Sequence, residues 1–236
     1  MPKGTLYLIP VPLAEGSVAK AVPPLHHTVI NNLRHYIVEN EKTARHWLKA
    51  MQLEIPQSEL KIQVYGKHSE KISLAEYFTD LESGRDVGLM SEAGCPAVAD
   101  PGSDLVAEAH RRGINVVPLV GPSSIMLALM ASGFNGQSFA FYGYLPIDKV
   151  ERSRRIKELE SLSDRLRQTQ IFIETPFRNN QLLEEVLRSC NPSTMLCVAV
   201  NLTGEDEEIH SASIANWRKR KADFHKKPAI FLIHKR

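Results

Sequence analysis

One stretch narrows the fold more than any other: Asp86 to Ser124, DVGLMSEAGCPAVADPGSDLVAEAHRRGINVVPLVGPSS. It reads as an apolar strand over Val87 to Met90, a Gly/Pro-studded loop, a helix, a second apolar strand over Val116 to Leu119, and a Gly-Pro turn opening another helix. Apolar strands with no polar alternation belong in a parallel sheet covered on both faces. In open α/β sheets small ligands bind beyond the carboxyl ends of the strands, so both loops fall where a site is expected.

The rest of the chain repeats the alternation. Strands are expected at Leu6 to Pro10, His35 to Glu39 and Ile62 to Tyr65. Between them lie a helix running from the Pro23-Pro24 pair to Arg34 (Leu25, Val29 and Leu33 in helical spacing), a polar helix Glu41 to Met51 that buries Trp47 and Leu48, and a helix Ile72 to Leu81 ended by Ser83-Gly84. His26-His27 reads as a solvated helix start. A helix from Ser124 through Met130 leads to SGFNGQS (Ser132 to Ser138), the most linker-like segment. Beyond it come strands at Phe139 to Tyr142, Ile171 to Glu174, Met195 to Asn201 and Pro228 to His234, with helices at Val150 to Leu166, Asn179 to Cys190 and Ala212 to Lys221. The expectation is two α/β domains, residues 1–133 and 139–236, with a mainly parallel sheet in the first and a cleft between them.

Composition excludes little but places the chain. A formal net charge of +2 neither demands nor forbids an anionic partner. Cys95, Cys190 and Cys197 form an odd, sparse set without C-x-x-C, which suits reduced thiols in a cytoplasmic protein. No run has the length of a membrane span or the segments of a signal peptide, so a soluble intracellular protein is expected. G-x-G-x-x-G after a strand, the phosphate-binding G-x-x-x-x-G-K-[ST], H-E-x-x-H and G-x-S-x-G are all missing, which argues against Rossmann dehydrogenase, P-loop, zinc and α/β-hydrolase chemistry. No metal is expected.

The loops that remain are Ser91 to Pro96, Asp100-Pro101-Gly102 and Gly121-Pro122-Ser123-Ser124. Glycine lets backbone amides approach a ligand, and proline sets a turn in advance so that binding costs less ordering entropy. One such loop means no more than a tight turn. Three at one sheet edge point to a site.

The same residues carry a resemblance. SEAGCPAVADPG, then VVPLVGPSS, then FYGYLP at Phe141 to Pro146, then IETPFR at Ile173 to Arg178, resemble the tetrapyrrole methylase superfamily, the class III S-adenosylmethionine-dependent methyltransferases, and within it the branch that 2′-O-methylates a cytidine ribose of small-subunit ribosomal RNA. The likeness runs from LYLIP at Leu6 to the last strand. It implies a mixed sheet in the second domain, a homodimer, and S-adenosylmethionine in the interdomain cleft. On matching positions the cofactor contacts would be Pro10, Ser91, Glu92, Ala93, Gly94, Pro96, Ser123, Ser124, Glu174, Thr175, Asn201, Leu202, Pro228 and Ala229. Such a ligand needs shape and a few hydrogen bonds rather than a phosphate loop.

The acceptor side departs from that branch: Ala14-Glu15 replaces Gly-Asn, Asn40 beside Glu39 replaces an Asp, Val200-Asn201 replaces Arg-Glu, Phe177-Arg178 replaces His-Arg, and Glu92 and Cys95 stand where Asp and Thr are usual. A ribose hydroxyl must lose a proton, and His68, Glu39 or Glu92 could take it. His68 lies in a polar Lys-His-Ser-Glu run with Glu70, and a solvated side chain is the preferred reading there. Arg178 reads equally as an acceptor-binding group or a solvated helix start. For RNA, the helix carrying Lys149, Arg152, Arg154, Arg155 and Lys157 is interleaved with Glu151, Glu158 and Glu160 and reads as a salt-bridged solvent face. Arg218 to Lys221, with Arg218 and Lys219 foremost, is the better phosphate-binding candidate. Two other readings stay open: methylation of a small molecule such as a tetrapyrrole, and a family member that binds the cofactor but has lost transfer.

Overall fold

Strands β1 (Thr5–Leu8), β2 (His35–Val38), β3 (Lys61–Val64), β4 (Val87–Met90) and β5 (Asn115–Pro118) form one parallel sheet ordered β3-β2-β4-β1-β5 in the computed structural model, which describes residues 2–66 and 73–235. The chain divides into two compact units, Met1–Ser123 and Ser124–Arg236. In the first unit, helices α1 (Val18–Ala21), α2 (Leu25–Asn32) and α3 (Glu41–Ala50) connect β1 to β2 to β3, stepping toward one end of the sheet. Helices α4 (Thr79–Glu82) and α5 (Ser103–Arg111) connect β3 to β4 to β5 and step the other way. A constant hand of crossover requires the two groups to lie on opposite faces. They do: Ile30, Ala44, Trp47 and Leu48 pack with Ile9, Tyr36 and Val38, while Tyr77, Phe78, Leu81, Leu105 and Ala109 pack with Leu6, Ile37 and Leu89. Adjacent residues Tyr36, Ile37 and Val38 thus point to alternate faces, as the pleat demands. Gly88 makes the first face possible, since a Cβ there would lie 2.7 Å from Ile9 Cδ1 and 2.9 Å from Tyr36 Cδ1.

Two local expectations change. In α2 the buried stripe is His26 and Ile30, with Leu25 60% exposed, so His26 is a core residue and not a solvated helix start. The helix ends at Asn32, and Leu33 is buried as its C-terminal cap rather than as a continuation of a stripe from Leu25. The segment expected as a helix from Ile72 is a tighter 3-10 turn over Leu74–Phe78 running into α4, started by a reciprocal Ser73–Glu76 capping box. Ile72 lies outside the described residues.

The second unit contains α6 (Ser124–Ser132), β6 (Phe139–Tyr144), α7 (Lys149–Leu166), β7 (Thr169–Ile173), α8 (Asn179–Ser189), β8 (Met195–Val200), β9 (Glu208–Ser213), α9 (Ile214–Trp217) and β10 (Ala229–His234). Its sheet is ordered β6-β7-β10-β8-β9, with β6 and β7 parallel and the β7-β10, β10-β8 and β8-β9 pairs antiparallel, hence mixed. Helices α7, α8 and α9 cover one core built on Phe172, Leu196, Val198, Trp217 and Phe231. The division between units falls before Ser132 to Ser138 because α6 packs on β8, β9 and β10. The helix expected over Ala212 to Lys221 is confined to α9, Ile214–Trp217, and Ala212 and Ser213 instead end strand β9. Pairing along all of β8, residue for residue from Met195↔Ser213 to Val200↔Glu208, outweighs the local helix propensity of Ala212.

Candidate functional site at the carboxyl edges of the strands

Neighbouring strands β1 and β4 send their connections toward opposite ends of the sheet, so a crevice opens outside their carboxyl ends. Three loops meet there. Val11 and Gly94 exchange backbone hydrogen bonds of 2.9 and 3.0 Å, tying the loop after β1 to the loop after β4. The Cys95 thiol reaches the Pro122 carbonyl at 3.3 Å, tying in the loop after β5. Gly121 closes the cluster against Pro10, because a Cβ on it would fall 2.3 Å from Pro10 Cβ. The expected contacts Pro10, Ser91, Glu92, Ala93, Gly94, Pro96 and Ser123 are therefore parts of one loop cluster, with Ser91, Gly94 and Pro96 buried and Glu92 and Ala93 exposed.

Carboxylates gather on the same edge. Glu39 follows β2, Glu92 follows β4, and Asp100 closes the loop that Glu92 begins. Glu92 is held from both ends: Thr43 Oγ1 lies 3.4 Å from its Oε1, and Trp47 Nε1 donates to its carbonyl at 3.1 Å. Asn40 caps α3 by accepting from the Thr43 amide at 3.1 Å, which fixes the helix end that carries Thr43. Burial, then the charge of Glu92, raises the Glu39 carboxyl, with an amide hydrogen bond from Glu92 acting the other way. Asp100 moves further. Burial, then the Glu39 charge, pushes it up to about 6, with Glu92 adding and a Ser91 hydrogen bond opposing. Burial followed by Asp100 also raises the Cys95 thiol, which makes it a poor nucleophile. Asp100 was absent from the sequence-based proton acceptors because D-P-G reads as a turn. The signal that could have found it is its place in the loop after an apolar strand. His68 and Glu70 lie outside the described residues.

A second group forms at one edge of the mixed sheet, where β7 and β8 end and β10 begins. Glu174 is buried, and its Oε1 accepts from the Thr175 amide at 2.7 Å and from Arg178 Nη2 at 2.6 Å. Arg178, half-buried at the start of α8, is thus the ion-pair partner of Glu174. Asn201 donates from its amide to the Pro228 carbonyl at 3.0 Å and from Nδ2 to Asp206 at 2.8 Å. Leu202 and Ala229 are buried beside it. The Arg178 Nε, Asn179 Oδ1 and Thr203 Oγ1 atoms are buried on this edge with no hydrogen-bond partner in the structure. Ser124 begins α6. Arg218 is spent on the end of α8, donating to Leu187 O at 2.9 and 2.7 Å and to Cys190 O at 3.2 Å, while Lys219 is exposed.

Among the described residues no group of three or more His, Cys, Asp or Glu is placed to hold a metal, and no helix is long and apolar enough to cross a membrane.

Comparison with known proteins places this architecture. A solved structure described as the methyltransferase CobJ superposes with a TM-score of 0.64 over 98% of this chain and 94% of that one, at 16% identity, which speaks for the fold alone. Ribosomal RNA small subunit methyltransferase I of Halalkalibacterium halodurans is 31% identical over 78% of this chain and 60% of its own length. The protein of the same name in Bacillus subtilis is 30% identical over 90% of this chain and 68% of its own. The chain thus spans about three fifths to two thirds of the length of these relatives. The family model for tetrapyrrole (corrin/porphyrin) methylases matches residues 28–217, most of the chain, and the chain belongs to that family.

Proposed function

We propose that this chain is an S-adenosylmethionine-dependent methyltransferase acting on ribosomal RNA of the small subunit, at a ribose 2′-hydroxyl. The observation that carries the reading is the junction of three post-strand loops with the Glu39, Glu92 and Asp100 carboxylates at one crevice of the first sheet. The names of the relatives, ribosomal RNA small subunit methyltransferases, support the substrate class.

The residues fit the cofactor. Its sulfonium and ammonium groups are cationic, and the loop cluster offers carboxylates that repel one another and gain from a nearby positive charge. On its own edge the second unit holds three buried polar atoms without a partner, which a hydrogen-bonding ligand would satisfy. In the first unit Pro10, Ser91, Glu92, Ala93, Gly94, Pro96 and Ser123 would hold the cofactor. When bound, it supplies an electrophilic methyl group.

The chain's own work is to position the acceptor and take its proton. Methyl transfer to a hydroxyl gains most from holding the oxygen at near-attack distance, and the tied loops provide a rigid frame for that. The proton goes to Asp100. A carboxyl with a pKa of about 6 is ionised at neutral pH yet is a stronger base than an ordinary aspartate, which suits general-base work. Burial first, then the charges of Glu39 and Glu92, maintain that elevation. Glu174, locked by Arg178, is a positioning group. A cytoplasmic location and a homodimer follow from the family resemblance.

Calorimetric titration of the full chain with S-adenosylmethionine and its demethylated product is expected to show binding of both. Labelled cofactor should then mark the ribose of RNA in small ribosomal subunits. Label in a metabolite extract and not in RNA would replace this reading with small-molecule methylation. Binding without label in either would leave a cofactor-binding protein that has lost transfer. Failure to bind the cofactor would end all three.

A further inference from the structure

Three of the four carboxylates of α7 are engaged, Asp164 with Lys235 at 3.0 Å, and only exposed Glu151 has no such partner among the described residues. Glu158 pairs with Arg155 at 2.8 Å. Glu160 is not on a solvent face at all: it is buried and accepts from the Asn191 amide at 2.7 Å, from Asn191 Nδ2 at 2.9 Å and from Thr194 Oγ1. Arg152 also turns inward, buried and donating to Ile147 O at 3.1 Å. What remains on the outer face is an open pocket of about 460 Å³ lined by Lys149, Val150, Ser153, Arg154 and Lys157 of α7 and by Arg188 of α8. Four of those six residues are cations and none is an acid. Lys149, Ser153, Arg154 and Lys157 stand at i, i+4, i+5 and i+8, which brings them to one side of the helix.

We propose that this pocket is a docking site for the phosphate backbone of single-stranded RNA. The proposal rests on the RNA methyltransferase reading above and names where its substrate is held. The wall is fixed from within: Arg188 Nη2 is anchored on buried Glu185 at 2.5 Å, Ser189 Oγ reaches the same carboxylate at 3.3 Å, and Ser153 and Ser189 share a hydrogen bond of 3.0 Å. Among the described residues Lys149, Arg154 and Lys157 pair with no carboxylate within 4 Å, so each can meet an incoming phosphate without first leaving one. From Lys149 to Lys157 the line of charge extends about 12 Å, at ~1.5 Å per residue, more than one phosphate needs and suited to a run of them. Val150, 78% exposed among these cations, offers an apolar surface to a sugar or base. The first amides of α7 are not part of the site, because Asp148 Oδ1 already accepts from Val150 N and Glu151 N at 2.9 Å each. The Arg218 to Lys221 run is the weaker surface, since Arg218 caps α8 and Arg220 pairs with Glu208.

The test is fluorescence anisotropy of a labelled single-stranded RNA of about 20 nucleotides, titrated with the full chain across a range of salt concentrations. Lys149→Gln/Arg154→Gln/Lys157→Gln is expected to weaken binding about tenfold or more and to lower the slope of log K against log salt by about 2, three contacts at ~0.7 each. A control with equal charge loss elsewhere, Lys20→Gln/Lys42→Gln/Lys49→Gln, should stay within about threefold of wild type. Should the triple variant fail to melt cooperatively, Lys149→Gln and Lys157→Gln are measured singly, each expected to lower the slope by about 0.7. An unchanged slope, an equal loss in the control, or competition by an acidic peptide as effective as by unlabelled RNA would overturn the proposal. Methyl transfer measured on the same proteins keeps the two questions apart. Loss of RNA binding in the variant with no transfer by wild type would leave the docking site and remove the activity, whereas transfer by wild type with an unchanged slope would do the reverse.

Discussion

Asp80 and Asp100 belong to the same parallel-sheet unit and live under opposite electrostatics. Asp80 is 3% exposed at the amino edge of the sheet, where β2, β3 and β4 begin. His35 Nδ1 lies 3.0 Å away, Lys61 Nζ donates at 2.8 Å, and Arg85 donates through two nitrogens at 3.0 and 2.8 Å. Burial pushes this carboxyl up, but the hydrogen bonds from Lys61 and Arg85 and the charge of His35 outweigh it and hold it below the ordinary aspartate range. Asp100, at the carboxyl edge, is pushed up to about 6 by burial first, and the charges of Glu39 and Glu92 add to burial where the neighbours of Asp80 oppose it. One fold therefore neutralises its buried acid at the edge that only has to be stable. It leaves acids uncompensated at the edge proposed to bind the cofactor, and perturbed carboxyls of that kind concentrate at functional sites.

The largest expected effect attacks the Asp100 side of the contrast. Asp100→Asn keeps the shape and removes the base, so the single-turnover rate of methyl transfer should fall about a hundredfold or more. Cofactor affinity, read by calorimetry, should fall only several-fold, because Glu39 and Glu92 keep their charge. A variant that transfers at the wild-type rate would show that the elevated carboxyl is an electrostatic by-product, and the proton acceptor would have to be sought at Glu39.

Asp80→Ala attacks the other side. Removing one member of a buried charge cluster costs about 3–5 kcal/mol when the partners stay buried. Here Lys61 and Arg85 are 54% and 50% exposed and can turn to water, so about 2 kcal/mol is expected from urea unfolding. The rate per folded molecule should not move. A drop in rate at unchanged stability would blur the division of labour between the two edges.

Much of this contrast lay beyond the reach of sequence. Val87 to Met90 is legible as a buried strand because nothing polar interrupts it, and the loops because Gly and Pro punctuate a chain locally. Val116 to Leu119 reads the same way, yet β5 lies at the sheet's edge with Val116 and Val117 half-buried and Pro118 exposed, since edge position is set by strand order and not by local pattern. The partners of Asp80 are spread over His35, Lys61 and Arg85, and those of Asp100 over Glu39 and Glu92, so their effects exist only once β2, β3 and β4 are laid side by side. Charge is visible in sequence but its employment is not: Arg152, Arg178 and Arg218 look alike until their carbonyl and carboxylate partners are known. Strand β9 was missed because its pattern is weak and its existence depends on β8 needing a second neighbour.

Gly121→Ala tests whether the carboxyl edge is a rigid frame. Its new Cβ would overlap Pro10 Cβ, so the loop after β5 must move away from the loop after β1, at a cost of about 1–2 kcal/mol. Cofactor affinity should fall several-fold with it. Lost stability at full affinity would mean that the Pro10–Gly121 contact holds the fold and not the site.

The smallest effect separates the two aspartates by the sign of a slope. Asp100 has a folded value of about 6 against 3.8 for an ordinary aspartate, so between about pH 4 and pH 6 the folded chain keeps a proton that the unfolded chain has released. Its contribution to stability is therefore present below that window and is lost as pH rises through it, with Glu39, also raised, adding in the same direction. Discounted for partial exposure, the fall is about 1 kcal/mol, and Asp100→Asn should flatten it. Asp80 behaves inversely: its folded value is depressed, so its contribution is present above the unfolded value and is lost as pH drops below about 4, a limb that Asp80→Ala should flatten. Urea unfolding of both variants from pH 3 to pH 8 reads both slopes, and the methyl-transfer rate should rise through the window in which Asp100 destabilises the fold. Slopes of the same sign at the two aspartates would mean that the edges do not differ in the way their neighbours imply.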